Sequence, residues 1–313
     1  MDIVGKRKIF LITSGVVNTI CLLAIIIFGF KLSIEFTGGS KLAITSSDSK
    51  AIDVGKLKSI IENQKIKVVT ITTNTPKDIV VRTDTITDSQ KNQILARAKE
   101  SGIELKEVGF DTLGPVIGGE AKVNALKAIG IAIVAITLYI AFAFRHVSKP
   151  VSSWKFGISA IVAMVHDVIV VLGVFSLLGL FFGVEIDSLF ITAILTIMGY
   201  SVHDTIVVFD RIRENLIKNV HNNSFEAVVN TSFNETLARS LNTSLTVILV
   251  LFSLLLFGGE SIRWFIAAFL IGIIVGTYSS IFIASVILVE WYKAEQKGWT
   301  VNKLLKLSRK NNK

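Results

Sequence analysis

Residues 156–184, FGISAIVAMVHDVIVVLGVFSLLGLFFGV, and residues 186–209, IDSLFITAILTIMGYSVHDTIVVF, decide the fold. Each is an apolar run long enough to cross a hydrocarbon core, which takes about 20 residues in a helix. Each also carries the same short phrase. Val165-His166-Asp167-Val168-Ile169-Val170-Val171 returns as Val202-His203-Asp204-Thr205-Ile206-Val207-Val208, identical at six of seven positions. Two successive antiparallel spans thus each hold a His-Asp pair inside a membrane, where ionisable residues are costly and are functional candidates by default.

Working outward, four more runs meet the same test: Ile9–Phe30, Ala125–Phe144, Thr236–Phe257 and Trp264–Val289. The whole chain agrees. Its 313 residues are 51% hydrophobic and 18% charged, with three prolines, and the mean hydropathy is +0.63. Soluble domains carry about 25% charged residues. The composition excludes a disordered chain, a secreted disulfide scaffold and most ordinary cytosolic enzymes. Cys21 is the single cysteine, so no intrachain disulfide exists. Lys6-Arg7-Lys8 precedes an apolar run longer than a signal-peptide core, and no Ala-x-Ala site follows. The first span therefore reads as an uncleaved anchor.

The net charge of +9 is placed asymmetrically. With the N-terminus in the cytosol, the cytosolic segments hold Lys6, Arg7, Lys8, Arg145, Lys149, Lys155, Arg211, Arg213, Lys218, Arg239 and the basic residues of 293–313. The two short loops on the other side hold only Arg263. This is the positive-inside pattern, with both termini cytosolic and a basic tail at anionic lipid headgroups. Basic residues interleaved with aromatics are absent, which argues against nucleic acid.

Between the first two spans lies the one long polar stretch, residues 31–124. Leu42–Thr45, Lys67–Thr73, Ile79–Thr83 and Ile103–Val108 read as strands, and 51–63 and 87–98 as helices, with Gly102 as a C-terminal stop. The order βαββαβ predicts an external α+β ferredoxin-like plait. The chain is thus expected as a polytopic α-helical membrane protein with six transmembrane helices and that domain between the first two. Its expected parts are 1–30 (N-terminus and first span), 31–124 (external domain), 125–292 (remaining spans) and 293–313 (basic tail).

Asp204 lies five residues before the end of its span, and Arg239 three residues into the fifth, so their depths permit an ion pair. A carboxylate there suits proton or ion handling, because burial and a nearby cation push its proton affinity in opposite directions. Asp167 lies nearer the midplane. His166 and His203 are candidate relays. Each of these residues is also readable as a structural polar group, the histidines most readily and Asp204 least. Two His-Asp pairs also suggest a metal site, against which adjacent helical residues point about 100° apart and no His-Glu-x-x-His or cysteine cluster exists. No metal or cofactor is expected.

Three further patterns stand out. Ala268, Gly272, Gly276, Ser280 and Ala284 recur every fourth residue of the last span, a smooth face for close helix packing within the chain or against a partner. Asp210-Arg211-Ile212-Arg213-Glu214-Asn215 is either a solvated helix face or a cytosolic coupling helix. Phe36-Thr37-Gly38-Gly39 and Gly114-Pro115-Val116-Ile117-Gly118-Gly119 flank the polar stretch as flexible linkers or as hinges at Gly38, Gly39, Gly118 and Gly119.

Together these residues resemble the SecF family, the six-span subunit of the bacterial SecD–SecF protein-export complex and a half-unit of the RND superfamily. The resemblance runs through Phe36-Thr37-Gly38-Gly39, residues 114–120, the highly specific stretch 199–215 from Gly199 to Asn215, and residues 270–277. Glu35 stands where the family often has Asp, a chemically minor departure. One six-span set is present, matching the separate subunit rather than a fused SecD–SecF. The resemblance implies a non-enzymatic role in the bacterial cytoplasmic membrane, using a proton or sodium gradient to assist preprotein export. It implies SecD, the SecYEG translocon and YajC as partners, with unfolded preprotein as substrate. It also implies Asp204 as the ion-carrying carboxylate and Arg239 as its basic partner. The rival readings are a non-coupling assembly subunit and an intramembrane metalloenzyme.

Overall fold

The computed structural model describes residues 3–47, 51–145, 151–218, 224–296 and 298. Lys149 and residues 299–313, including most of the expected basic tail, lie outside the described residues. Two compact units are distinguished, one of 1–29, 129–178 and 189–313 and the other of 30–128 and 179–188.

The first unit is helical. Among the described residues, six helices are long and apolar enough to cross a membrane. They are α1 (Arg7–Phe28), α5 (Pro115–Ala143), α6 (Ser153–Phe182), α7 (Ser188–Lys218), α8 (Phe225–Phe257) and a sixth over Glu260–Gln296. The sixth comprises α9 (Arg263–Ser279), a π-helical turn at Ser280–Ala284, and regular helix on to 296. Several helices outrun the apolar runs. Hydropathy reports where the chain is apolar, whereas a helix continues through polar residues as long as its hydrogen bonds and contacts persist.

Packing within this unit depends on small residues. Gly173 of α6 meets Cys21 of α1 so closely that an added Cβ would overlap it, and the Ser176 hydroxyl donates to the carbonyls of Ala24 (3.0 Å) and Gly29 (2.7 Å). Phe144, Phe156 and Phe209 are buried together, with ring centroids 5.2–6.0 Å apart. Lys155 pairs with Glu295 and Arg7 with Glu290. By contrast α5 leaves Leu126, Ile131 and Leu138 exposed, and α8 leaves Leu245, Leu249 and Val250 exposed. Apolar faces of this kind suit lipid or a membrane partner.

The second unit is built on a four-stranded antiparallel sheet of order β2-β3-β1-β4. Its strands are β1 (Gly39–Ser46), β2 (Val68–Thr75), β3 (Asp78–Thr83) and β4 (Leu105–Leu113). Helix α2 (Ile34–Thr37) precedes β1, α3 (Val54–Glu62) follows it, and α4 (Asp88–Glu100) joins β3 to β4. Alternation along the strands buries Leu42, Ile44, Ile79 and Val81 against Leu57, Ile61 and Ile94 of the helices. Asp53 caps α3, and a Thr87–Gln90 capping box opens α4. The backbone of Gly102 has φ +78°, the left-handed geometry a helix stop uses.

The glycine-rich junctions differ from loose linkers. Residues 115–119 are the first turns of α5, not a loop. A Cβ on Gly118 would lie 2.7 Å from the Gly38 nitrogen, and one on Gly38 would lie 2.6 Å from Pro115 Cα. The two junctions are pressed backbone to backbone, which only glycine permits, so their glycines serve close approach. Gly39, at φ +110°, faces the Thr83 carbonyl in the same way, while Gly119 has open space around it.

Candidate functional site

The two His-Asp copies land in different surroundings although their sequences nearly coincide. Asp167 of α6 has no exposed surface. Its Oδ1 meets His166 Nδ1 at 3.0 Å, and its Oδ2 accepts from the hydroxyls of Ser201 (2.6 Å) and Ser279 (2.7 Å). This carboxylate therefore joins α6, α7 and the sixth helix, with both oxygens engaged. The direct His166–Asp167 contact shows that adjacent side chains on a helix can meet by bending toward each other, although their Cα–Cβ bonds diverge.

Asp204 of α7 is 8% exposed. Its Oδ1 accepts from the Ser240 hydroxyl of α8 at 2.7 Å, and its Oδ2 is buried without a partner among the described residues. His203 is exposed, unlike buried His166. The expected Asp204–Arg239 ion pair does not form. Ser240 occupies the position of α8 facing Asp204, and the preceding residue on a helix points about 100° away. Arg239 instead lines a cleft of about 450 Å³ with Val207, Asp210, Arg211, Glu214, Glu235 and Thr236.

That cleft absorbs the charged stretch after Asp204. Residues 210–215 continue α7: Asp210 and Arg213 pair with each other at 3.4 Å on its solvated face, while Arg211 and Asn215 are tied to α8. Arg211 pairs with Glu235 at 2.7 Å and with Glu214, while the Asn215 amide donates to Ser232 (3.0 Å) and Glu235 (2.7 Å).

Hydroxyls complete the arrangement around the carboxylates. Thr205 Oγ1 meets Ser280 Oγ at 2.8 Å, and Ser280 donates to the Ser201 carbonyl at 3.0 Å. Thr277 donates to Ser244 (2.7 Å), which also receives the Tyr200 hydroxyl (3.1 Å). Ser279 and Ser280 sit where α9 gives way to the π turn, an irregularity that turns both hydroxyls onto α6 and α7. The small-residue face of the last span thus packs inside this chain. Gly272 meets Ile197, and a Cβ on Gly276 would lie 3.4 Å from Ser201 Cβ and 3.5 Å from Asp167 Oδ2. Ser280 is more than a spacer in that face, since it is a hydrogen-bonding member of the network.

Ser240, Ser244, Ser279 and Glu235 are members that sequence reasoning missed. The only available signal was hydroxyls recurring every fourth residue at 236, 240 and 244 of an otherwise apolar helix. Among the described residues, no group of three or more His, Cys, Asp or Glu comes together as a metal site.

The stretch that carries both carboxylates matches a known family. Residues 93–294 match the family model described as protein export membrane protein SecD/SecF, C-terminal. The protein translocase subunit SecF of Thermobaculum terrenum is 41% identical over 301 residues, covering 93% of this chain and 94% of its own. That of Anaerolinea thermophila is 37% identical over 302 residues, covering 96% of each. The protein translocase subunit SecDF of Thermus thermophilus is 37% identical over 270 residues, of which this chain spans 35% of the length. The crystal structure of SecDF, a translocon-associated membrane protein from the same organism, superposes with a TM-score of 0.80 at 33% identity. It covers 94% of this chain and 39% of its own. A family model over residues that include both aspartates, and relatives this similar over nearly their whole length, place the chain in the SecD/SecF family of protein-export membrane proteins, on the SecF side.

Proposed function

We propose that this membrane protein is a SecF-type subunit that converts a proton or sodium gradient into assistance for preprotein export, with Asp204 as the ion-carrying carboxylate. One observation carries the choice of Asp204. Its Oδ2 is buried and lacks a partner among the described residues, whereas every oxygen of Asp167 is engaged. A buried acceptor without a donor is expensive. Taking up a proton or a cation relieves that cost, so occupancy of Asp204 couples directly to the packing of α7 on α8. Arg239 is then the basic partner of another state of the cycle, reached when α8 turns. His203 and His166 stand beside the carboxylates as relay and positioning groups.

In this reading the βαββαβ unit is a ferredoxin-like domain on the external side of the bacterial cytoplasmic membrane. Both termini lie in the cytosol, and the chain divides into 1–30, 31–124, 125–292 and 293–313. The likeness to SecDF, which carries a longer chain, supports SecD as the partner that covers the exposed faces of α5 and α8. SecYEG and YajC are the neighbouring translocon components, unfolded preprotein is the substrate, and the role is transport rather than enzymatic catalysis.

The test is Asp204→Asn, which keeps the acceptor for Ser240 but cannot carry the charge. In membrane vesicles, export that depends on an imposed gradient is expected to be lost while ATP-driven export persists. Unchanged gradient-dependent export would remove Asp204 from the coupling role.

A further inference from the structure

Arg82 of β3 is more than nine-tenths buried. One of its nitrogens, Nη1, donates both to the Leu32 carbonyl (3.0 Å) and to Glu185 (2.8 Å), and Nη2 donates to the Thr37 hydroxyl (3.1 Å). A single guanidinium therefore joins the central sheet, the segment leading into it and the connection between α6 and α7. Backbone bonds reinforce the same junction. Ser33 N–H donates to the Ile186 carbonyl (2.9 Å), Ile186 N–H donates to the Lys31 carbonyl (2.7 Å), and Leu32 and Ile186 form a parallel bridge. The Glu35 carboxylate accepts from the backbone N–H of Ser188, the first residue of α7, at 2.7 Å. Residues 179–188 accordingly cluster with the sheet and not with the helices they connect.

We propose that Arg82, Glu185, Glu35 and the Leu32–Ile186 bridge form a permanent clasp. Within the sheet unit it fastens the sheet to the short connection between the two aspartate-bearing helices. Displacement of that connection is passed to the sheet as to one rigid piece. The proposal rests on the gradient-coupling reading, because it describes how a change at α6 and α7 reaches the sheet. The glycine junctions at 38 and 118, packed backbone on backbone, are its natural neighbours, since they leave the clasp rather than a free hinge to direct the sheet. Arg82 and Glu185 are positioning residues, and they touch no transported ion.

The experiment uses the full chain in membrane vesicles with gradient-dependent preprotein export as the readout, alongside protein abundance and melting temperature. Arg82→Gln and Glu185→Gln are each expected to lower gradient-dependent export about tenfold or more, because each breaks the ion pair and leaves a partly or fully buried charge without its partner. The exchange Arg82→Glu with Glu185→Arg is expected to recover part of the loss. The deciding arm places Leu32→Cys and Ile186→Cys in a Cys21→Ala background and joins them with a disulfide or a short bis-thiol reagent. A closed cross-link is expected to leave native export intact and to restore Arg82→Gln to within about twofold of native, which loss of an unrelated structural contact would not allow.

Normal export by Arg82→Gln, or loss of export on cross-linking the native pair, overturns the clasp. If Arg82→Gln does not accumulate, the cross-linked native chain alone decides, with active protein supporting the clasp and inactive protein overturning it. Asp204→Asn is run in parallel. If it is inactive while the clasp arms fail, only the clasp is overturned. If it remains fully active, the coupling reading fails and the clasp falls with it.

Discussion

The phrases around Asp167 and Asp204 are nearly the same sequence on neighbouring helices, yet one carboxylate is saturated and the other is not. Asp167 takes three donors from three positions, His166, Ser201 and Ser279. Among the described residues Asp204 takes one, Ser240, and keeps a buried oxygen unpartnered. A short motif therefore specifies which group enters the membrane, while the facing helices specify what that group does there. A saturated carboxylate ties helices together and resists change. In the proposed coupling, the unsaturated one is the group that an arriving proton or cation would satisfy.

The widest separation is expected from truncating each aspartate. Asp167→Ala strands the imidazole and two hydroxyls at once and is expected to cost about 3–5 kcal/mol, in the range for breaking a buried charged network. Asp204→Ala removes a single hydrogen bond together with an orphaned acceptor, and is expected to cost about 1 kcal/mol or less. Thermal unfolding of the two purified variants in one detergent measures the gap. Equal losses would erase the contrast between tie and switch.

A smaller effect is expected from Ser240→Ala, which leaves the Asp204 carboxylate with no donor among the described residues. The expected cost is about 1–3 kcal/mol. Restoration of native stability on adding Asp204→Ala to Ser240→Ala, in a double-mutant cycle, would sharpen the claim that the two residues form an isolated pair. Additive losses would break it.

The smallest effect comes from an aspartate outside the membrane. Asp78 sits at the β2–β3 turn, where hydrogen bonds from Thr45 and then Thr75 hold its carboxyl below the usual aspartate range. A depressed folded-state pKa gives stability that is present at neutral pH and is lost as pH falls through that folded value. The urea midpoint of the native chain should accordingly fall more steeply than that of Asp78→Asn between about pH 5 and pH 2. Coincident profiles would show that Asp78, unlike the membrane aspartates, contributes nothing through its charge.

Much of the architecture is legible in the chain because hydropathy and periodicity are local. The six apolar runs correspond to six helices, although α5 begins at Pro115 and α8 at Phe225, well before their apolar stretches. Strand and helix positions in residues 39–113 follow from alternation and capping residues such as Thr87 and Gln90. The site was only partly legible. Both aspartates stand out as charges in apolar surroundings, but Ser240, Ser279 and Ser280 are indistinguishable in sequence from the small residues that help helices pack. Nor does depth within the membrane reveal azimuth. Asp204 and Arg239 are placed at matching depths, and the turn of α8 gives the contact to Ser240.

The sequence by itself determined that this is a six-span membrane chain, that a βαββαβ segment follows the first span, and that two aspartates enter the apolar layer. Those properties depend on residues close together in the chain, through helix rise, strand alternation and the free energy of moving apolar groups out of water. Only the tertiary structure decided which aspartate is saturated, where Arg239 points and how Arg82 joins three distant segments. These depend on groups far apart in sequence meeting at hydrogen-bond distance, where a helix rotation of one residue exchanges an ion pair for a serine hydroxyl.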